Sequence, residues 1–138
     1  MNSGPASGEW IDYDFSVVRA VPHVHLESFR NVGVVVHSRT SEYLGAMAIT
    51  DPSLLAAMLP DLDTELLARY LTNWVGIAHG QTECGPLALK PPSERFHWLT
   101  SPRSDVIQSS PIRGGRSQDM PATLDRLFKD YVRPSPND

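Results

Sequence analysis

The sequence predicts an α+β domain, a small mostly antiparallel sheet with helices packed on one face. Three features of the 138-residue chain predict it. An alternating apolar run opens the chain. Two β-branched runs follow, joined by a three-residue polar link. Two stretches with apolar residues at helical spacing come after them, each with an acidic residue placed to cap it.

The first strand is YDFSVVRAV, whose alternation puts Tyr13, Phe15, Val17 and Val21 on one face, with Pro22 marking its end. NVGVVVHS and EYLGAMAIT, separated by Arg39-Thr40-Ser41, read as an antiparallel hairpin. Gly33 and Gly45 interrupt the two runs near their middles, which predicts a bulge or a close backbone approach and places them near one another across the pair. Asp51-Pro52 starts a short helix that Pro60 stops. A second helix, capped by Asp61 or Asp63 and closed by Gly80, carries a stripe of Leu66, Tyr70, Trp74 and Ile77 widened by Leu67, Leu71 and Ala78. Trp74 on that stripe is a core residue. A proline-rich loop leads to Ser93, and Met120 to Val132 form a last amphipathic helix with Asp119 as cap.

The low apolar content of both ends bounds the domain: residues 1–11 and 134–138 read as tails, and 12–133 as a single domain. No apolar run approaches the ~20 residues of a membrane-spanning helix. The N-terminus lacks the basic and apolar regions of a signal peptide, so a cytoplasmic location is expected. The single cysteine, Cys84, cannot form an internal disulfide or a multi-cysteine zinc site. With a net charge of −4 the chain as a whole repels polyphosphates, and nucleic acid is not an expected partner.

That average hides a division. Residues 1–92 carry five Lys/Arg against ten Asp/Glu, residues 93–116 four against two, and residues 117–138 three against four. The basic stretch is SERFHWLTSPRSDVIQSSPIRGG, read as a strand over RFHWL, a turn at Pro102, a short strand at DVIQ, and a loop freed by Gly114-Gly115. Such a layout gathers Arg95, His97, Arg103, Ser104, Gln108, Ser109 and Arg113 into one polar surface. Arginine presents a planar fork of donors suited to carboxylate or phosphate, and hydroxyls and free backbone amides complete such a cradle. The competing structural reading is that the arginines pair with internal carboxylates and the serines cap turns.

Other chemistry finds less support. His23, His25 and Glu27 share one side of an extended run, but this is a low-specificity pattern that lacks a third histidine, so no metal is expected. No Gly-x-Ser-x-Gly elbow, phosphate loop or dinucleotide glycine pattern occurs, and no cofactor is expected.

The strings S-E-R-F-H-W-L, P-R-S and Q-x-S-P, with N-V-G-V upstream after a Tyr-Asp-Phe strand, resemble the bacterial domain-of-unknown-function 3037 family over roughly Tyr13 to Tyr131. The family-like positions are Asn31, Gly33, Glu94, Arg95, His97, Trp98, Pro102, Arg103, Ser104, Gln108, Ser109 and Pro111. The family carries no assigned activity. Its members are often encoded beside HipA-like kinases, which implies a kinase-linked accessory protein. Where the family pattern continues S-P-V-H, this chain has Ser110-Pro111-Ile112-Arg113, so two-histidine chemistry is not implied.

Two functions follow as expectations. The first is a cytoplasmic accessory or binding module whose Arg, His and Ser surface recognises a partner protein, a peptide or a phosphate-bearing ligand. The alternative is a small hydrolase or phosphotransfer enzyme with His97 as acid or base and Arg95, Arg103 and Arg113 holding transition-state charge.

Overall fold

The computed structural model describes residues 9–23, 28–101 and 106–132. The predicted tails, apart from residues 9–11, lie outside this range. Strand β1 (Ile11–His23) runs antiparallel to β2 (Ser28–Ser38), which in turn pairs antiparallel with β3 (Tyr43–Ala48). The opposite edge of β1 is shared by two short strands. β4 (Ile107–Ser109) lies along Val18 to Ala20, and β5 (Arg113–Ser117) along Ile11 to Phe15. The sheet order is therefore β3-β2-β1-β4, with β5 beside β4 along β1. Helices α1 (Pro52–Met58), α2 (Thr64–Ala78), α3 (Pro92–Leu99) and α4 (Met120–Tyr131) complete the fold. The α+β class and the antiparallel sheet are as expected.

The helices, however, cover both faces. Phe15, Val36 and Gly45 lie in register across β1, β2 and β3, and so share a face. The Phe15 ring packs against Tyr131 of α4, and a Cβ at Gly45 would meet Leu124 of α4 at 3.0 Å. His37, next to Val36 and so on the opposite face, stacks on Phe96 of α3 at 5.0 Å. Val34, Val35 and Val36 are consequently all buried, as a run of consecutive β-branched residues demands of a strand covered twice. The unbroken valines are the sequence sign of this two-sided cover.

Local chemistry explains the helix boundaries. Asp51, Asp63 and Asp119 each accept a bond from a first-turn N–H, at 2.9 Å, 3.1 Å and 3.1 Å. Trp74 is buried and its indole Nε1 donates to the Leu99 carbonyl at 3.1 Å, tying α2 to α3. Leu67, Leu71, Trp74 and Ile77 form the buried stripe of α2, while Leu66 is 54 % exposed and does not belong to it. His79 Nε2 sits 3.1 Å from the Ala46 carbonyl on the outer side of β3, covering one backbone position of that edge.

Four local expectations change. RFHWL is helical, because Pro92 at the first position and Glu94 in the first turn start a helix that buries Phe96 and Leu99 three residues apart. Gly114 and Gly115 belong to β5, where the Tyr13 ring lies across Gly115 and fills the space its side chain would need. β1 continues one residue beyond Pro22, with an irregular register between Ala20 and His23. Gly33 pairs with Ala48 and Gly45 with Val36, so the two glycines are not opposite one another. The close approach is real at both: a Cβ at Gly33 would meet Val18 Cγ1 at 2.8 Å beside a register shift, and one at Gly45 would meet the Tyr43 hydroxyl at 2.6 Å.

Candidate functional site

The basic segment does not form one surface. Arg95 lies on α3 and turns back to the end of α2, where Nη1 donates to the carbonyls of Ile77 at 3.1 Å and Ala78 at 2.8 Å, and Nε donates to Lys90 O at 2.7 Å. Ile77 and Ala78 belong to the last turn of α2, whose carbonyls lack partners within the helix, and a cation there also meets the negative end of the helix dipole, whereas Lys90 lies just before α3. Burial pulls the Arg95 pKa below its ordinary value, yet the guanidinium stays fixed by three carbonyls. It is a structural clasp.

His97 is exposed on α3 and lines an open cleft of about 530 Å³ with Lys90, Ser93, Glu94, Trp98 and Ser101. Its carbonyl accepts the hydroxyls of Thr100 and Ser101. Arg103 and Ser104 lie outside the described residues. Gln108 and Ser109 sit on β4, opposite Arg19 and Val18 of β1, and Arg113 sits exposed on β5 opposite Phe15. Register places Gln108 and Arg113 on the Phe15 face, whereas α3, with Arg95 and His97, packs on the His37 face. The sheet separates them.

Between β4 and β5 the ladder is repaired by a residue outside the predicted set. Pro111 breaks the chain, and the buried Ser110 spans the gap. Its N–H donates to Val17 O at 2.8 Å, its Oγ accepts the Val17 N–H at 2.9 Å, and its carbonyl accepts Ser16 Oγ at 2.8 Å. This accounts physically for the Ser-Pro of Q-x-S-P. The hydroxyl replaces an acceptor that a continuous strand would have supplied.

A different polar group comes together on the Phe15 face. Arg19 of β1 lies in register with Asn31 of β2 on one side and Gln108 of β4 on the other, giving a row Asn31–Arg19–Gln108 across three strands. Asn31 Nδ2 donates to the Tyr131 carbonyl at the end of α4 at 2.9 Å. The Phe29 ring lies 4.5 Å from the Arg19 guanidinium carbon, a cation–π contact. Arg19 Nε and Asn31 Oδ1 are both buried without a hydrogen-bond partner among the described residues. Unpaired buried polar groups are rare and each calls for an explanation. A donor and an acceptor left open on neighbouring strands match a ligand that offers both.

Beside this row lies a cleft of about 380 Å³ bounded by Phe29, Arg30, Asn31, the α1 residues Leu54 and Met58, and Tyr131. Among the described residues one cation and no carboxylate line it, in a chain of net charge −4. Arg19 escapes the sequence reading because only position marks it, and the signal is there to use: a charged residue stands where the alternation Tyr13, Phe15, Val17 calls for the next inward apolar side chain. Asn31 and Gln108 carry the family resemblance, but only the sheet register brings them to one arginine. Among the described residues no three His, Cys, Asp or Glu side chains are grouped to hold a metal, and no helix is long and apolar enough to cross a membrane. His25 and Glu27 lie outside the described residues.

A mostly antiparallel sheet covered by helices on both faces, with a polar row inlaid at one end, defines a small α+β protein. The chain belongs to the family described as a protein of unknown function, DUF3037, whose model matches residues 15–132 and so includes Arg19, Asn31 and Gln108. No curated protein and no solved structure matches it significantly.

Proposed function

We propose that this protein is a binding module that recognises an anionic group on a partner protein through the Asn31–Arg19–Gln108 row. The observation that carries this reading is Arg19 itself, a guanidinium at an inward position of a central strand with its Nε buried and without a hydrogen-bond partner among the described residues. A structural arginine has its donors engaged, as Arg95 does. Leaving a buried donor open costs stability, and a ligand that closes it recovers that free energy on binding. The cleft beside the row, lined among the described residues by one cation and no carboxylate, supports an anionic partner. Because Arg95 is held by α2 and lies on the opposite face from Arg113, the turnover reading loses the arginine cluster it relied on.

The family resemblance makes a HipA-like kinase from the same genome the first partner to try, and a cytoplasmic location is part of the same proposal. Isothermal titration of that kinase into the wild type and into Arg19→Met tests it. Loss of a charge-assisted contact of about 1.5–3 kcal/mol weakens binding roughly tenfold to a hundredfold. Equal affinity for the two proteins, with the variant's fold intact by circular dichroism, would defeat the proposal.

A further inference from the structure

The pattern of open groups at the Arg19 row specifies more than negative charge. Arg19 Nε is a donor and Asn31 Oδ1 an acceptor, so a ligand that satisfies both brings an anionic acceptor and an N–H close together. The adjoining cleft adds a third requirement. Its deep side is apolar, with Ile49, Leu54, Met58 and Val132, and its rim carries Arg30, which is exposed and has no ion pair among the described residues. The last residue of a polypeptide meets all three demands from a single Cα: a carboxylate, its own amide N–H and a side chain. An internal Asp or Glu carries its charge on the side chain and leaves nothing apolar on that residue for the floor. A fatty acid has no N–H to give Asn31. At about 380 Å³ the cleft takes one or two residues of a chain end, not a helix.

Resting on the reading above, we infer that this site captures the carboxy terminus of a partner polypeptide ending in an apolar residue. The terminal side chain lies against Leu54 and Met58. The carboxylate faces Arg19, and the last amide N–H donates to Asn31 Oδ1. Phe29, 48 % exposed and stacked on Arg19, is the side chain that turns aside to let the carboxylate reach Nε.

Fluorescence anisotropy with labelled degenerate hexapeptides ending in Leu tests this in the full chain. Four forms are compared: the free acid, the carboxamide, the free acid with its last peptide bond N-methylated, and an amidated peptide with an internal Glu. Unlabelled N-acetyl-leucine serves as competitor. The free acid is expected to bind at least about tenfold tighter than the carboxamide, and N-methylation to weaken it by a similar factor. Arg19→Met is expected to bring acid and amide to equal, weak affinity, and Leu54→Ser to weaken the acid while keeping its advantage over the amide. N-acetyl-leucine, which holds all three features, is expected to compete. Equal affinity of acid and amide in the wild type overturns the inference, as does an absence of binding by every peptide up to about 1 mM. If the amidated internal-Glu peptide alone binds, and does so through Arg19, terminal capture is wrong while anion recognition stands. Peptide binding that Arg19→Met leaves unchanged removes both.

Discussion

Two arginines of this protein face the same physical problem and solve it in opposite ways. Arg95 is partly withdrawn from water and places three hydrogen bonds on the carbonyls of Ile77, Ala78 and Lys90. Arg19 is also partly withdrawn, yet its Nε has no partner among the described residues and its guanidinium rests on the face of Phe29. The first belongs to a sequence motif and proves to be architecture. The second sits inconspicuously in a strand and is left unfinished by its own fold. Sequence prominence and chemical availability are therefore separate properties, and the inventory of donors already engaged tells them apart.

The sharpest test of the contrast is Arg95→Met. It strips three carbonyls of a charged donor and loosens the clasp between α2 and α3, so a loss of about 2–3 kcal/mol in urea denaturation is expected. A loss below about 0.5 kcal/mol would show that water replaces the guanidinium freely and would return Arg95 to the list of available groups.

Ser110→Ala comes next. It leaves the buried Val17 N–H without an acceptor, and a loss of about 1–2 kcal/mol is expected. Faster amide exchange at Val17 than at Phe15 would locate the damage in the β4–β5 gap; uniform protection along β1 would contradict the repair role.

Arg19→Met should change stability by less than about 1 kcal/mol, because the lost cation–π contact is offset by removal of an unpaired buried donor. A loss as large as that of Arg95→Met would make Arg19 structural and erase the contrast.

The smallest effect concerns His37. Burial lowers its pKa from 6.5, with Asp14 across the strand pair opposing and Arg39 adding to the drop. The folded ring resists a proton that the unfolded chain accepts. Its contribution is therefore fully present above about pH 6.5 and falls as the solution is acidified below that value. Comparing urea midpoints at about pH 7.5 and about pH 5.5, the wild type should lose more on acidification than His37→Gln. Equal losses would place the acid sensitivity elsewhere.

Periodicity and capping make most of the elements legible in the sequence. The hairpin, α1, α2 and α4 follow from β-branched runs, helical stripes and the acidic caps Asp51, Asp63 and Asp119. RFHWL reads as a strand yet folds as a helix because Phe96 and Trp98 fit an alternating pattern while Phe96 and Leu99 fit a helical one, and over five residues the two periods do not separate. Pro91-Pro92 and Glu94 were the deciding marks. The two-sided cover of the sheet was legible in the consecutive valines of β2, although a sheet with helices on one face was the simpler expectation.

The family, the α+β class and the polar character of the Ser93–Gly115 stretch were all determined by the chain's own order of residues, since each rests on local spacing and composition. Tertiary structure alone decided which polar groups meet. Asn31, Arg19 and Gln108 stand 12 and 89 residues apart in the chain and become neighbours only through strand register, a quantity set by the packing of whole faces and invisible to local pattern. The same packing turned Arg95 inward to the end of α2 and left the Nε of Arg19 without a partner among the described residues.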